Sequence, residues 1–295
     1  MESNVANTKY GIVLGAPRSG TTFLMGFLNA MPDTEAVTGN LLPTVIPHLM
    51  NQELPEMVRV ALTSAFGRVL SDYLESGAFN SRSAALHKWV LAGGDLRKAL
   101  AGRRSVDRLV YKEPFLAFAP QYTYEALPKA RLVYLLRDGR DVADSLVRSY
   151  DVLSDDKLSH LNTTEAPIGR KRGDRYVPWW VDDGREDEFL SAPAYVRAIW
   201  MWSAMVSRCR AFFSRDAVAG EGRVLQIRYE DLIRDPVSWG GRIADHFGVP
   251  MTRRMGRQIA SAHASSVGIH KRRDPKELEE ATRVAGDELR QQGYL

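Results

Sequence analysis

Along this chain, short apolar runs that end in glycine or charge alternate with longer stretches of helical period. Continuous apolar runs read as buried strands, and apolar positions recurring at three- and four-residue intervals read as helices. "YGIVLG" (10–15) reads as a first strand running into a glycine-bounded turn, and "TTFLMGFLNAM" (21–31) reads as the helix behind it. Helices are expected over 53–75, 83–100 and 192–213, and again over 237–248, where Gly248 suits a C-cap. "RLVYKEP" (108–114), "ARLVYLLRDGRDVADSLVRSY" (130–150) and "GRVLQIRYEDLIRDP" (222–236) each open as a strand with a polar exit. This alternation predicts an α/β fold: a single three-layer domain over 1–295, its mostly parallel central sheet flanked by helices.

The segment 151–190 departs from the pattern. It mixes cations and acids with Pro178, Tyr176 and the pair Trp179–Trp180. A long irregular stretch inside a compact domain is usually functional, so a loop or lid over the site is expected here, with the aromatics as a wall for an acceptor. In an open parallel sheet, ligands bind beyond the carboxyl ends of the strands. The polar exits at Gly15–Gly20, Lys112–Glu113, Arg137–Arg140 and Tyr229–Asp231 should therefore face one crevice.

Composition narrows the partners. Forty basic against 36 acidic residues leave a net charge of +4 with the cations dispersed, which speaks against nucleic acid. No apolar stretch reaches the roughly 18 residues of a membrane helix, so no membrane partner is expected. The N-terminus lacks the cationic start and apolar run of a signal peptide, and a cytoplasmic setting is the expectation. Cys209, the single cysteine, lies in an apolar helical stretch and reads as a packed thiol.

The turn after the first strand, "LGAPRSGTT" (14–22), has the frame of a phosphate-binding loop of the P-loop NTPase type. Gly15, Gly20 and Thr22 fill its fixed positions, but Thr21 stands where G-x-x-x-x-G-K-[ST] requires lysine. A loop opening a helix still offers backbone N–H groups and the positive helix end to an anion. Arg18, Ser19, Gly20, Thr21 and Thr22 would hold one terminal phosphate-like group. In "RDGRDVADS", Arg137 leaves a strand and Ser145 follows eight residues later, a second anion pocket. Two such pockets at neighbouring strand ends point to a nucleotide phosphorylated at two places.

"GAPRSGTTFL" followed by "RLVYLLRDGRDVADS" resembles the sulfotransferases that use 3′-phosphoadenosine 5′-phosphosulfate (PAPS). The resemblance spans roughly 12–236 as a string of short motifs and leans towards the protein-tyrosine and bacterial branches. It implies that residues 18–22 hold the 5′-phosphosulfate and that Arg137 and Ser145 hold the 3′-phosphate. Lys112 in "VYKEPF" would lie near the transferring sulfonate, with Arg18 assisting, and Tyr229 in "RYEDL" against the nucleotide. "SSVGIHKRRDP" (265–275) is similar to a basic closing loop, so Lys271, Arg272 and Arg273 would cover the 3′-phosphate. The implied reaction moves a sulfonate from PAPS to a hydroxyl, phenol or amine of a small-molecule or peptide acceptor, releases 3′,5′-ADP and requires no metal.

The acceptor's proton needs a base within hydrogen-bond reach. Cytosolic members of the resembled family carry histidine two residues after the strand-end lysine, and Pro114 stands there in this chain. Glu113, His48, Glu35 and His87 are the candidates, in that order for the first three. Two other readings stay open. One is a kinase or NTPase with an atypical loop and Asp138 near a Walker B position; the other is a nucleotide-binding relative without catalysis.

Overall fold

A computed structural model describes residues 10–38, 55–76, 107–162 and 168–295. Strands β1 (Tyr10–Leu14), β2 (Thr34–Thr38), β3 (Arg108–Lys112), β4 (Arg131–Leu136) and β7 (Val224–Arg228) form one sheet in the order β2-β3-β1-β4-β7. All four strand pairings are parallel. A parallel sheet is covered on both faces, so its strands are apolar at consecutive positions. Leu132 to Leu136 are buried without a break, as are Gly11 to Leu14.

Successive side chains on a strand point to opposite faces, and each strand therefore feeds two cores. Ile12, Leu14, Leu109, Tyr111, Leu132 and Tyr134 join the larger one. Val13, Val110, Val133 and Leu135 join the other. The larger core is closed by α3 (Gly139–Tyr150), α4 (Ala194–Phe213) and α6 (Pro275–Gln291). The other face is closed by α1 (Thr21–Leu28) and by helices Pro236–His246 and Arg253–Ile259. Helix α2 (Glu56–Ser76) lies within the predicted stretch 53–75 to within a few residues, and α5 (Tyr229–Arg234) begins where β7 ends. The expected helix at 83–100 lies outside the described residues. The expected C-cap is present: Gly248 has φ 64° and donates its N–H to Asp245 O at 3.0 Å.

The sheet order sets where a ligand can enter. From β1 the chain passes across β3 to β2, whereas from the neighbouring β4 it passes outward to β7. Connections that leave adjacent strands in opposite directions open a crevice at the carboxyl ends.

Two expectations need correction. Strand β2 was not foreseen: "TEAVT" is a five-residue edge strand without a distinct apolar run. The segment 151–190 is not irregular. Outside 163–167 it folds into helix Asp155–Ser159, an antiparallel hairpin of β5 (Gly169–Arg172) and β6 (Arg175–Pro178), and helix Glu186–Ser191. Val177, Trp180 and Val181 enter the larger core, and the Trp180 ring stacks on Phe118 at 5.1 Å and 23°. Burying these side chains holds the excursion down. Arg197 of α4 fastens it at both ends, donating to Leu153 O at 2.9 Å, Asp155 Oδ1 at 2.8 Å and Phe189 O at 3.0 Å.

Candidate functional site: an anion crevice at the strand ends

The turn from β1 into α1 depends on two glycines. A Cβ at Gly15 would lie 2.6 Å from Leu135 O, and a Cβ at Gly20, which has φ 93°, would lie 2.5 Å from the Tyr229 ring. The backbone is thus pressed against β4 on one side and the start of α5 on the other. Between the glycines, Arg18 takes φ 69°, a left-handed conformation costly for a side chain with a Cβ. Its carbonyl is held by Arg137 Nη1 at 2.9 Å, which over-determines the turn. The first N–H groups of α1 have no partner within the helix, and Gly20, Thr21 and Thr22 at its start line the crevice.

The polar strand exits meet there. A cavity of about 440 Å³ is lined by Arg18, Thr21 and Thr22 from the turn, Lys112 from β3, and Arg137 and Ser145 from the β4–α3 exit. Tyr229 and Ser266 join them. The lining also has apolar members: Phe115, which follows β3, Leu146 and Tyr150 on α3, Val152, and Met201 on α4. The two predicted anion pockets are contiguous, for Arg18 Nε donates to Ser145 Oγ at 2.9 Å. The Arg18 guanidinium also lies 5.4 Å from the Tyr150 ring centroid, and that of Arg137 lies 4.8 Å from the Tyr229 ring. Two buried polar atoms of this region have no protein partner, Ser19 Oγ and Arg137 Nε. Buried polar groups are nearly always satisfied, so each leaves a donor for an anion of its own pocket, although Ser19 does not itself line the cavity.

Lys112 is only 6% exposed. Burial pushes its ammonium below its ordinary range, and neighbouring Glu113 counteracts this only in part. Glu113 is buried at the head of the turn Pro114–Phe118 and does not line the cavity. Glu35 is buried on β2 opposite Leu109, whereas Thr38 is the residue level with Lys112. At about 3.3 Å per residue, Glu35 lies about 10 Å below the carboxyl edge, too far down the strand to reach a reacting group there. His48 and His87 lie outside the described residues. Among the described lining residues there is neither carboxylate nor imidazole.

The basic run near the C-terminus is placed differently from expectation. Arg273 Nε pairs with Asp144 at 2.8 Å and its Nη1 with Glu277 at 3.1 Å. Lys271 and Arg272 are exposed, and none of the three lines the cavity. The reason is local: Asp144 of α3 and Glu277 of α6 hold Arg273, whose guanidinium lies 4.6 Å from the Tyr195 ring, and the 3-10 turn Ile269–Arg272 precedes it directly. The residue of this segment that reaches the cavity is Ser266, whose carbonyl accepts from Arg137 Nη2. Tyr176, Trp179 and Trp180 do not line the cavity either. Tyr150 and Phe115 do, and the sequence reading missed both. Tyr150 carries a faint signal, five residues past Ser145 on an amphipathic helix.

Asp138 caps α3 through Arg140 N at 3.0 Å and holds the Arg140 guanidinium at 3.0 and 2.7 Å, so its carboxylate serves the turn rather than a metal–nucleotide pair. Glu230 Oε1 accepts from Asp138 N at 2.9 Å and thereby ties α5 to the same turn. Cys209 is fully buried, its Sγ 3.2 Å from Ala117 O, and burial pushes the thiol well above its ordinary range. No helix among the described residues is long and apolar enough to cross a membrane, and no cluster there has the residues of a metal site.

Sheet order and crevice define a class, the parallel α/β proteins with a glycine turn between the first strand and the helix behind it. Within it, the chain belongs to the sulfotransferase family, whose pattern matches residues 12–253. It is similar to protein-tyrosine sulfotransferase A of Caenorhabditis elegans, 26% identical over 139 residues, or 45% of this chain and 31% of that protein. The chain thus matches less than a third of that relative's length. Among solved structures, the sulfotransferase of Alicyclobacillus acidocaldarius aligns over 96% of this chain and 93% of its own, with 19% identity and a TM-score of 0.46. A mouse sulfotransferase complexed with PAP aligns over 97% and 88%, with 13% identity and a TM-score of 0.47.

Proposed function

We infer that the protein transfers a sulfonate group from 3′-phosphoadenosine 5′-phosphosulfate to an acceptor hydroxyl and releases 3′,5′-ADP. The observation that carries this reading is the joining of two anion pockets in one cavity, Arg18, Gly20, Thr21 and Thr22 at one strand exit and Arg137 with Ser145 at the next, with Lys112 in the same lining. A nucleotide with phosphate on both the 5′ and 3′ sides matches that pair. The residues then divide the work. The turn N–H groups with Ser19, Thr21 and Thr22 hold the 5′ group, and Arg137 and Ser145 hold the 3′ group. Lys112 stabilises negative charge developing on the leaving oxygen, and Arg18 reinforces it from the turn. A buried ammonium is worth more there than an exposed one, because little water competes for the oxygen. Such a transfer rests on positioning and cations, as phosphoryl transfer does.

The apolar part of the lining suits the acceptor. Phe115, Leu146, Tyr150, Val152 and Met201 offer a surface for an alkyl or aromatic body whose hydroxyl points toward Lys112. A phenol fits this reading best, since its proton is the easiest to lose. The kinase reading is disfavoured by Thr21 in the lysine position and by Arg140 on Asp138. A cytoplasmic setting belongs to the same proposal, supported by a lone, buried cysteine rather than a disulfide framework.

Titration calorimetry with 3′,5′-ADP and, separately, ATP with Mg²⁺ tests the reading. Selective binding of 3′,5′-ADP is expected. A response to ATP–Mg²⁺ with none to 3′,5′-ADP would overturn it.

A further inference from the structure

Asp141 lies in the first turn of α3, four residues past Arg137, with its side chain 1% exposed. Oδ1 accepts from the backbone N–H of His270 at 3.1 Å and faces its ring Nδ1 at 2.6 Å. Oδ2 accepts from the N–H of Gly268 at 2.7 Å and lies 3.8 Å from Arg137 Nη2. An ionised carboxylate only accepts, so Nδ1 of His270 carries the proton. Burial pushes the Asp141 carboxyl up, but hydrogen bonds from the His270 side chain and from the His270 and Gly268 backbone outweigh it and hold the group below its ordinary range. Arg137 in turn donates to the carbonyl of Ser266 and, at 2.9 Å, to that of Arg18. The Asp141 carboxylate in the first turn of α3 and the Arg137 guanidinium at the exit of β4 therefore fasten the strap 266–270 to the crevice and to the glycine turn.

We propose that Asp141 and His270 are positioning residues that clamp this strap and fix the Arg137 guanidinium toward the anion it binds, so that they determine selectivity for a 3′-phosphorylated nucleotide. The inference rests on the assignment of Arg137 to the 3′-phosphate. The strap is held by a buried carboxylate, not by the exposed cations Lys271 and Arg272 beside it. Without the clamp, Arg137 keeps its charge but loses the carbonyl of Ser266 and the facing carboxylate that orient it. The 5′ group is bound by the turn and α1, which the clamp does not touch directly.

The test compares 3′,5′-ADP with 5′-AMP by titration calorimetry in the full chain. The unaltered protein should bind 3′,5′-ADP more tightly. His270→Ala should weaken 3′,5′-ADP by about tenfold or more, the scale of a hydrogen bond to a charged group, and leave 5′-AMP within about twofold. His270→Asn, whose amide nitrogen can donate from about the position of Nδ1, should recover most of the loss. Asp141→Asn, which keeps the shape and removes the charge beside Arg137, should show the same selective loss as His270→Ala. Amide exchange at Gly268 and His270 should quicken in His270→Ala. Equal weakening of both nucleotides, or none, in a protein that prefers 3′,5′-ADP overturns the clamp and leaves the site reading intact. No preference for 3′,5′-ADP in the unaltered protein removes the site reading and the clamp with it.

Discussion

Lys112 ends β3 with its ammonium buried, and that placement sets what the residue can do. It neutralises a developing anion only while protonated. Its folded-state pKa lies below the ordinary 10.5 because burial disfavours the charge. As pH rises, the proton therefore leaves the ligand-free protein earlier than from an exposed lysine, and the alkaline limb of kcat/KM should have its midpoint below pH 10.5. In Lys112→Arg that limb should vanish, since a guanidinium does not titrate in this range, even where the altered geometry lowers the rate. A pH–rate profile of the two proteins checks this. Lys112→Ala should lower kcat by about a hundredfold or more while 3′,5′-ADP still binds within a few fold, because the lysine acts on charge that develops during transfer. A Kd that collapses along with kcat would instead place Lys112 among the ground-state binding groups.

Elements position such residues, and some of this was legible beforehand. The glycine turn, the Arg137–Ser145 spacing and the strand-end lysine were readable because each is fixed by local chain geometry. Gly20 shows how tight that geometry is: with φ 93° and the Tyr229 ring 2.5 Å from a Cβ, Gly20→Ala should cost about 2 kcal/mol or more and weaken nucleotide binding. Denaturant titration and calorimetry on the variant measure both. What was not legible depends on partners distant in sequence. Arg273 reads as a nucleotide cation until Asp144 and Glu277 are seen to hold it. The Asp141–His270 contact joins residues 129 apart, and no local pattern announces it. The hairpin at 169–178 looked like a lid because its charges are exposed, while Val177 and Trp180 anchor it from beneath. Arg197 holds that excursion with hydrogen bonds to buried carbonyls. Arg197→Ala leaves those carbonyls unpaired and should cost about 3 kcal/mol, with proteolysis rising first within 151–190.

At the scale of the whole molecule, β1, β3 and β4 each send alternate side chains into both cores, so neither face can loosen without disturbing the other. The crevice lies where the layers meet. Its walls draw Thr21 from α1 on one face, Ser145 and Met201 from α3 and α4 on the other, and Lys112 from the sheet itself. A ligand held by all of these stabilises both layers at once. The single-domain reading therefore makes a thermodynamic prediction. Unfolding followed by calorimetry should show one transition, and 3′,5′-ADP at about a hundred times its Kd should move the whole of it upward. Mass action sets that stabilisation at about 2.7 kcal/mol, or several degrees for a chain of this size. Two transitions, of which the nucleotide shifts one, would mean that the faces unfold as separate units and that the shared strands do not couple them.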